Sequence, residues 1–171
     1  MTIVLGNREI PSLEYLSEGP AFIEQISSMV TVTPIFSQFS TAEIETLVGF
    51  IKVYRVQPGV PFIHEGDRGS FMALILDGKV EIRKRHPDGK HKTIATVGHG
   101  KTLGEMSMVD DEPRFATCVG INPITFGVLS HDDFIRILRE HHNIGSKILW
   151  QMVMLLNARV RQLSTKLLQY L

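Results

Sequence analysis

The spacing of hydrophobic positions changes repeatedly along the chain, and each change predicts a different element. Residues 1–18 show no clear period, and Gly6, Pro11 and Gly19-Pro20 break the run, which predicts a loose lead-in. From 22 to 30, apolar residues at 22, 23, 26, 29 and 30 fall on one face of a short helix that ends before Pro34. Ser40 then opens a second helix. Glu43, three residues on, completes a capping box, and Ile44, Leu47 and Val48 face inward.

Between 51 and 129 the pattern becomes one of short strands, predicted at 51–56, 60–64, 71–76, 79–85, 92–97, 115–120 and 124–129. Turn residues punctuate them: Pro58-Gly59, the run from Glu65 to Gly69, Asp77-Gly78, Asp88-Gly89, and Gly98 with Gly100. Asp-Gly between alternating segments predicts a hairpin, because such turns need positive φ. Helix returns after Ser130, which with Asp133 forms a second capping box ahead of Phe134, Ile135, Ile137 and Leu138. A final helix is expected from Asn143 nearly to Leu171, with Ile148, Leu149, Met152, Leu155, Leu156, Val160, Leu163 and Leu167 at spacings of three and four. The expected class is α+β, mainly β: an antiparallel jelly roll or β-roll of about eight strands, with N-terminal helices and a long C-terminal helix pair. The expected divisions are a lead-in with a short helix at 1–33, the roll at 34–129 and C-terminal helices at 130–171.

Composition narrows the function classes. Lys plus Arg equals Asp plus Glu at 18 each, so no basic surface advertises nucleic acid or an anionic membrane. The single cysteine, Cys118, lies in an apolar run and is expected to pack as a small hydrophobe. The start of the chain lacks the basic and apolar regions of a signal peptide. No apolar run reaches the roughly 18 residues of a membrane helix. A cytoplasmic location, without membrane or direct nucleic acid contact, is expected.

The chemistry concentrates in residues 104–117, G-E-M-S-M-V-D-D-E-P-R-F-A-T. Gly104 lets backbone approach a ligand closely. Glu105 offers a carboxylate to a sugar hydroxyl. Residues 106–109 suit one helical turn, whose free N–H groups at Met106, Ser107 and Met108 favour an anion. Arg114 brings a planar fork that fits two phosphate oxygens, and Thr117 a hydroxyl.

This segment resembles the phosphate-binding cassette of the cyclic nucleotide-binding domain family, roughly F-G-E-L-A-L, four variable residues, then P-R-x-A-T. Gly104, Glu105, Met108, Pro113, Arg114, Ala116 and Thr117 stand in register. Leu103 replaces the usual Phe, Ser107 replaces Ala, and Phe115 stands where Ala or Thr is usual. The stretches T-P-I-F-S-Q-F-S-T-A-E-I and E-G-D-R-G-S-F-M-A-L-I-L-D-G-K-V-E-I resemble the same family ahead of the cassette. The resemblance implies a sensor of a 3′,5′-cyclic nucleotide, with Arg114 on the phosphate and Glu105 on the ribose 2′-hydroxyl. It also implies a base resting on Ile82, Ala95 and Val97, and a last helix closing over it with Asn157, Arg159 or Arg161. Members selective for cyclic GMP carry Thr after the cassette arginine. Phe115 lacks that hydroxyl, which favours cyclic AMP over cyclic GMP as the ligand. The long last helix implies a homodimer, and the effector protein is unspecified. Bacterial regulators of this family carry a helix-turn-helix after that helix. The chain stops at Leu171, so a sensor module without its own output domain is expected.

Other chemistries fit less well. Seven histidines invite a metal reading, but a cupin-like site needs an H-x-H pair, which this sequence lacks; no metal is expected. One cysteine is too few for an iron–sulfur sensor. No nucleophile elbow, Walker loop or C-x-x-C is present, so an enzyme is not expected. Asp110, Asp111 and Glu112 read as a solvated loop. Two alternatives remain: an interaction scaffold that keeps a relic cassette, and a sensor of another anionic ligand such as cyclic di-GMP.

Overall fold

The computed structural model describes residues 3–29 and 32–168. Val30, in the predicted helical stripe, and residues 169–171, in the predicted last helix, lie outside them. Among the described residues, the strands form a two-stranded ribbon, a four-stranded sheet and a five-stranded sheet, all antiparallel.

The expected lead-in is instead structured. Strands β1 (Ile3–Leu5) and β2 (Arg8–Ile10) form a hairpin, and β3 (Glu14–Glu18) adds an edge strand beside β4 (Ile51–Val56). They are too short to show a period, and β3 finds its partner far along the chain. Helix α1 (Ile23–Ser28) follows a 3-10 turn, and a second 3-10 turn starts at Pro34. Helix α2 (Thr41–Val48) begins at the predicted capping box: the Glu43 N–H donates to Ser40 Oγ, and the Ser40 N–H to the Glu43 carboxylate at 2.8 Å.

The roll continues with β5 (Pro61–Ile63), β6 (Phe71–Asp77), β7 (Lys79–Arg85), β8 (His91–Gly98), β9 (Thr102–Leu103), β10 (Thr117–Gly120) and β11 (Ile124–Ser130). The short strand β9 carried no sequence signal. One sheet runs β5-β10-β7-β8 and the other β3-β4-β11-β6-β9. The two Asp-Gly turns therefore behave differently. Asp88-Gly89 closes the β7–β8 hairpin, with the His86 N–H donating to Lys90 O. Asp77-Gly78 instead carries the chain from one sheet to the other, since β6 and β7 do not pair. Gly78 keeps φ +99°, and a Cβ there would come within 2.6 Å of Pro123 O. A positive-φ turn fixes the local bend, while burial of both faces of β6 chooses its neighbours.

Alternation along β6 separates two cores. Phe71, Ala73 and Ile75 point into the roll with Tyr54, Phe62, Val80, Cys118 and Phe126. Met72, Leu74 and Leu76 point outward, under Ile26, Phe36, Leu47, Phe134, Ile148 and Met152 of the helices. The cassette helix α3 (Glu105–Asp110) plugs into this second core through Met108. Helix α4 (His131–Glu140) starts at Ser130, whose hydroxyl accepts the Asp133 N–H and donates to the Asp133 carboxylate, so the second capping box is half formed. Helix α5 (His142–Leu168) buries Ile144, Ile148 and Met152, while toward its end Val160, Leu163 and Leu167 are exposed. The predicted stripe thus splits into a docked half and a bare half.

Candidate functional site

Gly104 caps α3 with φ +84°, a conformation open to glycine. A Cβ there would collide with Arg114 Nη1 and come within 2.7 Å of Phe71 O. Glycine is therefore what allows the two ends of the cassette to meet: Arg114 Nη1 donates to Gly104 O at 3.1 Å. The Arg114 guanidinium carbon sits over the Phe71 ring, 4.2 Å from its centroid, and the residue is only 4% exposed. Nη2 is buried with no hydrogen-bond partner. Burial holds Arg114 down to about 10, with the negative fields of Asp67 and Glu105 pulling it back up.

Glu105 is 1% exposed, and both of its oxygens accept from protein, Oε2 from a single donor, so acceptor capacity remains there. The Thr102 hydroxyl donates to Oε1, and Arg159 of α5 donates to both oxygens at 3.2 and 3.3 Å. Arg159 reaches it because it continues the inward stripe of Ile148, Met152 and Leu155 at spacings of three and four. Asn157 and Arg161, two residues to either side, lie on the opposite face and are exposed. The last helix thus brings one of its three candidate polar residues to the cassette.

The predicted turn is a six-residue helix, and its amides are not equivalent. The Met108 N–H donates to Gly104 O, so Met108 is an anchor rather than an anion donor. The N–H groups of Glu105, Met106 and Ser107 lie in the first turn, where no intrahelical acceptor exists. Ser107 is buried and the Met106 side chain faces solvent.

Alternation along 114–118 sorts the rest. Ala116 and Cys118 are buried, and burial pushes the Cys118 thiol up to about 12, which keeps it protonated. Phe115 points the other way, 55% exposed, with Lys84 Nζ 4.3 Å from its ring centroid. It is not brought to Arg114. Thr117 Oγ1 accepts the Glu65 N–H at 3.0 Å, which leaves its proton free to donate. Ile82 pairs across the sheet with Ala95 on one side and Cys118 on the other, and Val80 with Val97. These residues share the inner face of the four-stranded sheet, which runs from buried Val80 to exposed Ala95 at its open edge. Two supports had no sequence signal beyond proximity or aromaticity: Thr102, three residues before Glu105, and Phe71 under the guanidinium. Among the described residues no cluster of three or more His, Cys, Asp or Glu could hold a metal. No described helix is long and apolar enough to cross a membrane.

A family profile described as "Cyclic nucleotide-binding domain" matches residues 53–141. The "Cyclic AMP receptor protein" of Thermus thermophilus is 26% identical over 118 residues, 67% of this chain and 55% of that protein. The "cAMP-dependent protein kinase regulatory subunit" of Yarrowia lipolytica is 30% identical over 105 residues, 61% of this chain and 27% of that one. The chain therefore spans about half the length, or less, of these curated relatives. Among solved structures, a cyclic nucleotide-binding domain from Methylobacillus flagellatus superposes with a TM-score of 0.85 at 35% identity, covering 94% of this chain and 90% of the other.

Proposed function

Because this chain belongs to the cyclic nucleotide-binding domain family, we propose that it is a regulatory module that binds a 3′,5′-cyclic nucleotide, cyclic AMP in preference to cyclic GMP. The observation that carries the reading is the buried, unpartnered Nη2 of Arg114. A buried donor without an acceptor is costly, and more so on a cation. An exocyclic phosphate oxygen at that nitrogen relieves the cost. The first-turn N–H groups of Glu105, Met106 and Ser107 donate to the same phosphate, and Glu105 accepts from the ribose 2′-hydroxyl. The base rests on Ile82, Ala95 and Val97. Preference for adenine is supported by Phe115, which has no hydroxyl for guanine, and by the names of the relatives from Thermus and Yarrowia.

Arg159 completes the charge balance. Glu105 and a phosphate diester bring two negative charges into a dry site, and Arg114 alone supplies one positive. Arg159, already on Glu105, supplies the second. Ligand and a docked α5 therefore favour one another, and a ligand that gains from Arg159 only when α5 is docked shifts α5 toward that state. The bare half of α5, with Val153, Val160, Leu163 and Leu167 exposed, pairs with a second copy of the chain to form a homodimer.

The test is the thermal midpoint of the purified chain with cyclic AMP, cyclic GMP or cyclic di-GMP at equal concentration. A rise of several degrees with cyclic AMP, smaller with cyclic GMP and absent with cyclic di-GMP, is expected. No rise with any of them sinks the proposal and leaves α5 as the functional surface. Light scattering of the parent beside Leu163→Glu tests the dimer: a parent that is already monomeric contradicts it.

A further inference from the structure

We infer that Arg8, in the N-terminal hairpin and outside the matched family segment, is a positioning residue for Arg114. The inference rests on the proposed role of Arg114 as the group that binds the ligand's phosphate. Arg8 grips Asp67 as a fork: Nη2 donates to Oδ1 at 2.6 Å, and Nε donates to Oδ2. Asp67 in turn holds the cassette arginine by its backbone. The Arg114 N–H donates to Asp67 O at 2.9 Å, and the Gly66 N–H donates to Arg114 O at 2.9 Å. Two backbone bonds therefore tie Arg114 to the loop that Arg8 grips.

The hairpin also touches this loop without side chains in between. A Cβ on Gly69 would sit 3.3 Å from the Gly6 Cα, and one on Gly6 would sit 3.5 Å from the Phe71 ring, the same ring that carries the Arg114 guanidinium. Arg8, Asn7, His64, Asp67, Phe71 and Arg114 line one shared cavity behind the cassette. The hairpin, loop and guanidinium are one packed unit, and Arg8 is its only ionic tie across to the loop among the described residues. The Arg8 fork thus limits how far the 64–69 loop, and with it the Arg114 backbone, strays from the position in which Nη2 faces the phosphate. Preorganising a recognition group in this way is read as affinity.

Amide hydrogen exchange in the ligand-free protein tests the brace directly, beside cyclic AMP titrations of the same proteins. In Arg8→Ala, the Gly66 and Arg114 amides should exchange at least roughly fivefold faster while the Phe126 amide in β11 is unchanged, because the loss is local and not global unfolding. Cyclic AMP affinity should fall by roughly fivefold, the upper range for a half-exposed ion pair. Arg8→Lys, which keeps the charge and loses the fork, should fall between. The exchanged pair Arg8→Asp with Asp67→Arg should recover most of both effects. Unaltered exchange at Gly66 and Arg114 in Arg8→Ala overturns the brace. Faster exchange with parental affinity overturns its role in binding. If the parent itself binds no cyclic AMP, the phosphate reading falls, and the exchange comparison still decides whether Arg8 braces the loop.

Discussion

The two ends of the cassette bury opposite charges and treat them differently. Glu105 has every oxygen engaged by protein, from Thr102 on one side and Arg159 on the other. Arg114 is as deeply buried, yet one of its nitrogens faces no acceptor. The carboxylate end already joins the roll to α5 and keeps acceptor capacity on Oε2, whereas the guanidinium end holds a nitrogen with no partner at all. On the proposed function, a ligand would gain most of its affinity at Arg114 and would act on α5 through Glu105.

The largest effect that could break this contrast is at Arg114. Arg114→Met should lose about 2–5 kcal/mol of cyclic AMP binding, the cost of leaving a buried anion unpaired. Its ligand-free thermal midpoint should hold or rise, since Met keeps the packing on Phe71 and removes a buried cation with an orphan donor. A variant that unfolds without ligand would show that Arg114 is a structural joint like Glu105. Gly104→Ala comes next. Its Cβ collides with Arg114 and strains a φ of +84°, so both stability and binding should suffer, stability by about 1–3 kcal/mol in denaturant titration.

Arg159→Ala sharpens the other end. With Arg159 40% exposed, solvent screening limits its pair with Glu105 to about 1 kcal/mol or less. The telling readout is the protease sensitivity of α5: cleavage after residue 152 should quicken, and cyclic AMP should protect the parent more than the variant. The smallest effect lies in the loop behind Arg114. The Arg8 guanidinium holds the Asp67 carboxyl below its ordinary value of 3.8. A depressed carboxyl contributes stability above its unfolded pKa and loses it as pH falls through the lower folded one. Thermal midpoints should therefore drop slightly more steeply below about pH 4 in the parent than in Asp67→Asn. Equal slopes would remove Asp67 as a contributor.

Which parts of this were legible in the sequence follows from the range of the interactions. Capping at Ser40-Glu43, the β7–β8 turn at Asp88-Gly89 and the ordered cassette residues are set by neighbours a few positions apart, and all could be read. The β1–β2 hairpin and β3 leave no mark in the sequence, because strands of three to five residues carry no measurable period. Asp77-Gly78 looked like a hairpin turn, since the local φ requirement is the same whether the next strand pairs with the last or crosses to another sheet. The contact between Arg159 and Glu105 spans 54 residues. Asn157, Arg159 and Arg161 were equal candidates until helix phase separated them. Phe115 was legible as a departure from the family pattern, but its outward direction followed only from the burial of Arg114 and Ala116 on either side.

The most direct measurement is a calorimetric titration of cyclic AMP into the parent and Arg114→Met, with both shown folded by their melting curves. The account predicts one saturable site per chain in the parent, with heat lost in the variant and no loss of ligand-free stability. Parental affinity in Arg114→Met would contradict it, because the open nitrogen at the guanidinium end would then not be where the phosphate binds.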